Sequence, residues 1–137
     1  MKLYEVPDRS QSLLEVLLQI WERSVRATHL FLSDAEVNRI KEYVPRAFEG
    51  VELLIVAEAE KPVAFMGTQN GRLEMLFVAP EERGRGIGRQ LLQYGVENYG
   101  VFEVTVNEQN PQADGFYERM GFETYKRTDT DEEGALY

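Results

Sequence analysis

The run Leu73-Glu74-Met75-Leu76-Phe77-Val78-Ala79-Pro80-Glu81-Glu82-Arg83-Gly84-Arg85-Gly86-Ile87-Gly88 carries an apolar strand pattern into a glycine-rich loop and then into a helix. Backbone N–H groups at a helix N-terminus have no intrahelical partner and sit at the positive end of the helix dipole. Glycines let an anion approach such groups without a Cβ in the way. Arg83, Arg85 and Arg89 add charged donors beside them, suited to charge-assisted bonds with the same oxygens. The chemistry is that of an anion site, and a phosphate is the natural occupant. A P-loop would continue with Gly-Lys-Ser/Thr, but Arg89-Gln90 follows Gly88. A dinucleotide fingerprint counted from Gly84 would need glycine where Arg89 stands. Both nucleotide readings are weak.

Outward from this run the pattern alternates between helix and strand. Lys2 to Val6 reads as a short strand stopped by Pro7. Asp8 and Gln11 have capping-box spacing before a helical stripe of Leu13, Leu14, Leu17, Ile20, Trp21, Ser24 and Val25, expected to end near Thr28. Ser33 and Glu36 form a second capping box, and Val37, Ile40, Val44, Ala47 and Phe48 continue helically, with Pro45 expected to kink or split the helix. Leu53 to Ala57 and Val63 to Thr68 predict an antiparallel hairpin, and Asn70-Gly71 turns the chain into a strand from Arg72 to Val78. A helix is expected from about Gly86 to Asn98, stopped by Gly100, and then a strand from Val101 to Val106. Asn110-Pro111 starts a last helix that Gly121 ends, with Phe122 supplying the hydrophobic contact. A strand from Phe122 to Arg127 would follow. The predicted order is β-α-α-β-β-β-α-β-α-β, an α/β (α+β) arrangement.

With 137 residues the chain suits one domain. Its hydrophobic share of 43% is ordinary for a folded chain and argues against wholesale disorder. There is no cysteine, which excludes disulfides, thiolate metal sites and a cysteine nucleophile. No metal site is expected. The N-terminus meets charge and Pro7 too soon for a signal peptide, and no apolar run approaches the roughly 20 residues of a membrane helix. The expectation is a soluble, cytoplasmic protein without a membrane partner. A net charge of −9 argues against nucleic-acid binding and mildly favours a cationic partner.

The segment Arg83-Gly84-Arg85-Gly86-Ile87-Gly88 resembles the cofactor motif Gln/Arg-x-x-Gly-x-Gly/Ala of the GNAT superfamily of acyl-CoA-dependent N-acetyltransferases. Downstream, Asn110-Pro111-Gln112-Ala113-Asp114-Gly115-Phe116-Tyr117-Glu118-Arg119-Met120-Gly121-Phe122 is similar to that family's Asn-x-x-Ala-x-x-Phe-Tyr-x-x-x-Gly-Phe. The resemblance covers roughly Leu53 to Arg127. Upstream, Trp21-Glu22-Arg23-Ser24-Val25-Arg26-Ala27-Thr28-His29-Leu30-Phe31-Leu32 is similar to the YjaB-like bacterial branch. The implied architecture is a mixed, mostly antiparallel sheet flanked by helices and splayed between its fourth and fifth strands. Residues 1–50 would form the helical acceptor-side portion, 51–127 the cofactor-binding core and 128–137 a short acidic tail, with the last strand short or missing.

The resemblance implies that backbone amides from Arg85 to Arg89 hold the coenzyme A pyrophosphate. It places Arg83, Gly84, Arg85, Gly86, Ile87, Gly88 and Arg89 in the cofactor site, with Leu76, Phe77 and Val78 along the pantetheine arm. Asn110 would bond that arm as well as cap its helix. Tyr117 matches the family's general acid, a phenol able to protonate the leaving thiolate. An amine acceptor must lose a proton, and His29, Glu74 and Glu103 are the candidate bases. The implied reaction moves acetyl from acetyl-CoA to an amine, a small molecule or a peptide, by direct attack in a ternary complex. The alternative is a non-catalytic acyl-CoA-binding or sensing module. Monomer and homodimer both remain open.

Overall fold

The structure is a computed structural model that describes residues 1–28, 32–104 and 111–122. Strand β1 (Lys2–Glu5) is followed by helices α1 (Gln11–Thr28), α2 (Asp34–Lys41) and α3 (Val44–Gly50). Strands β2 (Leu53–Glu58), β3 (Pro62–Gln69) and β4 (Arg72–Val78) come next, then α4 (Ile87–Tyr99), β5 (Glu103–Val104) and α5 (Pro111–Arg119). The sheet order is β1-β2-β3-β4-β5. The first four strands pair antiparallel, and β4 pairs parallel with β5. This is the mixed, mostly antiparallel sheet expected.

Local chemistry explains the boundaries. The N-cap of α1 corrects the expected Asp8–Gln11 box: Ser10 accepts from the Leu13 amide through its hydroxyl at 3.3 Å. The Ser33–Glu36 box forms as expected, each residue bonding the other's backbone. Pro45 separates α2 from α3, occupying the first turn of α3 where its missing N–H costs nothing. At the C-terminal end of α3, Arg9 donates to the carbonyls of Phe48 at 2.6 Å and Glu49 at 3.1 Å. Asn70 and Gly71, with φ of 52° and 79°, make the two-residue turn from β3 to β4. Helix α5 ends in a Schellman arrangement: Phe122 N–H reaches Tyr117 O and Gly121 N–H reaches Glu118 O, both at 3.0 Å.

Both faces of the sheet are covered. On one, Leu54, Val56 and Phe65 pack beneath α1, α2 and α3, with Trp21 and Phe48 fully buried. On the other, Ile55, Ala57, Ala64 and Met66 pack against Ile87, Leu91 and Leu92 of α4. Burial on both faces turns β2 and β3 into continuous apolar runs rather than alternating ones.

Strand β4 departs from simple alternation. Gly67 pairs with Met75 and Thr68 with Leu73, so Glu74 is an extra residue in the ladder, a β-bulge. The inserted residue changes which face the following side chains meet. Leu73 lies on the α4 side, whereas Met75 and Phe77 join the α1–α3 core, and Leu76 and Val78 return to the α4 side. The β4–β5 ladder is described for Arg72–Glu103 and Leu73–Val104. The expected continuation of β5 to Val106, the splay beyond it and the strand from Phe122 to Arg127 lie largely outside the described residues, as does the tail.

Candidate active site

The glycine loop leaves the C-terminal end of β4. Pro80–Glu82 form one 3-10 turn, and Arg83 is extended at φ −67° and ψ 154°. Gly84 and Gly86 then take φ of 79° and 75°, a left-handed conformation that L side chains avoid. Gly86 is the N-cap of α4, and its carbonyl accepts from the Gln90 amide at 3.0 Å. As glycine it offers no side-chain cap, so the amides of Ile87, Gly88 and Arg89 lack the cap that would compete with a ligand. Among the described residues, a Cβ built at Gly84 or Gly86 would meet no heavy atom within 4 Å. The backbone there is open to an approaching group.

The arginines around the loop differ. Arg85 is exposed and pairs with Glu82 at 3.2 Å. Arg89 is exposed on the first turn of α4. Arg83 turns back towards α1 and donates through Nη2 to the Ser24 hydroxyl at 3.0 Å and carbonyl at 3.4 Å. Arg83 is exposed overall, but partial desolvation in that position lowers the guanidinium pKa from its ordinary value. Nothing in the sequence announced Ser24 as a partner: it lies 59 residues away and reads as one more position of a buried helical stripe.

Along β4, Leu76 and Val78 are half-buried on the α4 side, while Phe77 is buried on the other face at 7% exposure. A ligand lying on the α4 side would therefore meet Phe77 only through its backbone. Helix α5 closes the same side: a Cβ on Gly88 would stand 3.7 Å from both Phe116 Cζ and Val78 Cγ2. Tyr117 packs edge-on to Phe116 at 5.1 Å and to Phe122 at 6.2 Å between ring centroids. Burial pushes its phenol pKa up from 10.0, keeping the group in its acid form.

Two of the candidate bases lie toward the opposite end of β4. Glu74 and Glu103 line a shallow pocket of about 130 Å³ with Gln69, Asn70, Arg72 and Phe102. Glu103 pairs with Arg72 at 2.7 Å, and Glu74 is exposed at the bulge. The third candidate, His29, lies outside the described residues, as does Asn110. Among the described residues no cluster of potential metal ligands occurs, and no helix is long and apolar enough to cross a membrane.

A family model described as an acetyltransferase (GNAT) domain matches residues 21–136. The chain belongs to the GNAT acetyltransferase family. Its glycine loop and the α5 motif are therefore two parts of one enzyme fold, packed together through Gly88 and Phe116. The peptidyl-lysine N-acetyltransferase YjaB of Salmonella typhimurium is 39% identical over 124 residues, spanning 90% of this chain and 86% of that protein. The solution structure of apo-form YjaB from Escherichia coli shares 35% identity and a TM-score of 0.83, covering 100% of this chain and 93% of that one. This GNAT chain is thus YjaB-like. The PaiA N-acetyltransferase of Thermoplasma acidophilum, crystallised with coenzyme A, has a TM-score of 0.68 at 22% identity, covering 96% of this chain and 94% of its own. That likeness is one of fold.

Proposed function

We propose that this GNAT acetyltransferase transfers acetyl from acetyl-CoA to the side-chain amine of lysine in a peptide or protein, by direct attack in a ternary complex. The observation that carries the reading is the loop at the start of α4. Two glycines at positive φ leave backbone amides open to a diphosphate, in a position that no side chain among the described residues fills. The acceptor class draws on the name of the Salmonella relative, which covers most of both chains. A net charge of −9 also suits a cationic acceptor.

In this reading amides from Arg85 to Arg89 hold the pyrophosphate, with Gly84 providing the turn. The backbone of Leu76, Phe77 and Val78 lies along the pantetheine arm, and Asn110 bonds that arm. The lysine nitrogen, once deprotonated, forms a C–N bond with the thioester carbonyl carbon as the C–S bond breaks. His29, Glu74 or Glu103 takes the ammonium proton. Tyr117, whose buried phenol stays protonated, gives its proton to the departing thiolate and is reprotonated by the second proton that the nitrogen sheds as the amide forms. Because the chain has no cysteine, no cysteinyl acyl-enzyme can intervene.

The absence of cysteine also makes the test clean, since a thiol reagent then reads only released coenzyme A. Incubation with acetyl-CoA and a lysine peptide should release thiol in proportion to peptide acetylated by mass spectrometry. Thiol release with small amines but no lysine peptide would overturn the acceptor class. Silence with every amine would overturn the activity itself.

A further inference from the structure

Arg83 is the first residue of the phosphate-loop motif, and its guanidinium reaches across to helix α1. Its Nη2 donates to the Ser24 hydroxyl at 3.0 Å, and Ser24 is 4% exposed. One residue earlier on the same helix, Arg23 pairs with Glu81 at 2.6 Å. Two consecutive residues of α1 thus grip the two ends of Glu81–Arg83, the segment that feeds the left-handed glycines. The Arg23–Glu81 pair is exposed on both sides, and such pairs contribute little. The Arg83–Ser24 bond joins a charged donor to a buried hydroxyl, which is the stronger kind. Gly84 and Gly86 have wide conformational freedom, so their anion-binding geometry needs an anchor on the N-terminal side. On the C-terminal side α4 itself supplies it.

We infer that Arg83 is a positioning residue, which fixes the phosphate loop through its hydrogen bond to Ser24 and does not act as a direct charged ligand of the pyrophosphate. The inference rests on the coenzyme A site proposed above. It also gives Ser24 a role in cofactor binding, although Ser24 lies in the helical layer on the other face of the sheet. The end of α1 leads directly into residues 29–31, so the same bond links the cofactor loop to the helix that carries the acceptor-side segment.

The test is a double-substitution cycle read by calorimetry with coenzyme A: wild type, Ser24→Ala, Arg83→Gln and both together, each at two salt concentrations. A positioning role predicts that each single change weakens binding by about 10-fold, the size of one lost charge-assisted bond. The double variant should be no weaker than Arg83→Gln alone, and Ser24→Ala should keep the wild-type salt dependence. Amide hydrogen exchange in the ligand-free chain should quicken across residues 84–88 in both single variants, with the thermal midpoint little changed. If Ser24→Ala binds like wild type while Arg83→Gln weakens binding and flattens its salt dependence, Arg83 is a direct ligand and the inference fails. Unaltered exchange across the loop would overturn it equally, without any ligand. Wild-type protein that does not bind coenzyme A would instead remove the proposed site, and the inference with it.

Discussion

Gly88 of α4 lies against Phe116 of α5, so close that a methyl group at residue 88 would touch the ring at 3.7 Å. The contact brings the glycine loop and the aromatic motif of α5 to one place on the sheet, beside Val78. Tyr117, the next residue after Phe116, packs on the same α4 side of the sheet as the loop's helix.

The loop glycines should divide by backbone conformation rather than by crowding. Gly86→Ala places a side chain at φ 75° and should lower the urea-unfolding free energy by about 1–2 kcal/mol. The added methyl points into open space, where it would obstruct an anion. Gly88→Ala meets only ordinary contacts at 3.7 Å and gains helix propensity, so its unfolding midpoint should not fall. Equal losses in the two variants would contradict the assignment of strain to Gly86.

Tyr117→Phe should reduce turnover by about 10²-fold or less and leave coenzyme A affinity near wild type. The ring packing on Phe116 and Phe122 survives the change, so only the hydroxyl is removed. Steady-state thiol release and calorimetry together read the two quantities. A wild-type rate in the variant would take Tyr117 out of the reaction.

Arg9→Ala should destabilise the fold without touching catalysis. The lost guanidinium bonds the carbonyls of Phe48, Glu49 and Glu52 at the end of α3, and removing it leaves them to water. An unfolding free energy lower by about 1–3 kcal/mol is expected from chemical denaturation, with turnover of the folded enzyme unchanged.

The alkaline limb of stability should be set by tyrosines. Desolvation raises the pKa of Tyr4, Tyr99 and Tyr117 above 10.0, with Tyr94 and Glu58 adding to it at Tyr99 and Tyr4, and Tyr99 is pushed up to about 12. Unfolding frees each phenol to ionise near its ordinary value. The contribution is therefore complete below about pH 10 and is lost as pH climbs towards the folded values. Denaturation midpoints should fall from about pH 10 upward, and Tyr117→Phe should flatten that fall. A level midpoint across this range would show that these phenols are not desolvated.

Much of the architecture could be read from local signals. The Asn70-Gly71 turn, the Ser33–Glu36 box, Pro45 and the Gly121 stop each act over a few residues, and each stands where expected. The Glu74 bulge was not legible, because Leu73, Met75 and Phe77 have the spacing of a single face; only pairing with β3 reveals the extra residue. Asp8 and Ser10 are both good cap residues, so the sequence alone does not separate them; in the structure α1 starts at Gln11 and Ser10 takes the Leu13 amide. The Arg83–Ser24 bond and the Arg72–Glu103 pair join distant parts of the chain, so no spacing rule could have disclosed them. The glycine loop was the most readable part of the site, since positive φ demands a residue type that stands out in sequence.

The central claim is that the α4 amides hold a diphosphate. Calorimetric titration of the wild-type chain with coenzyme A and with pantetheine, which shares the thiol arm but lacks the diphosphate, addresses it directly. Saturable binding of coenzyme A is expected, with an affinity for pantetheine, which also lacks the adenosine 3′-phosphate, weaker by about 10²-fold or more. Equal affinity for the two, or no heat with coenzyme A at millimolar concentration, would contradict it.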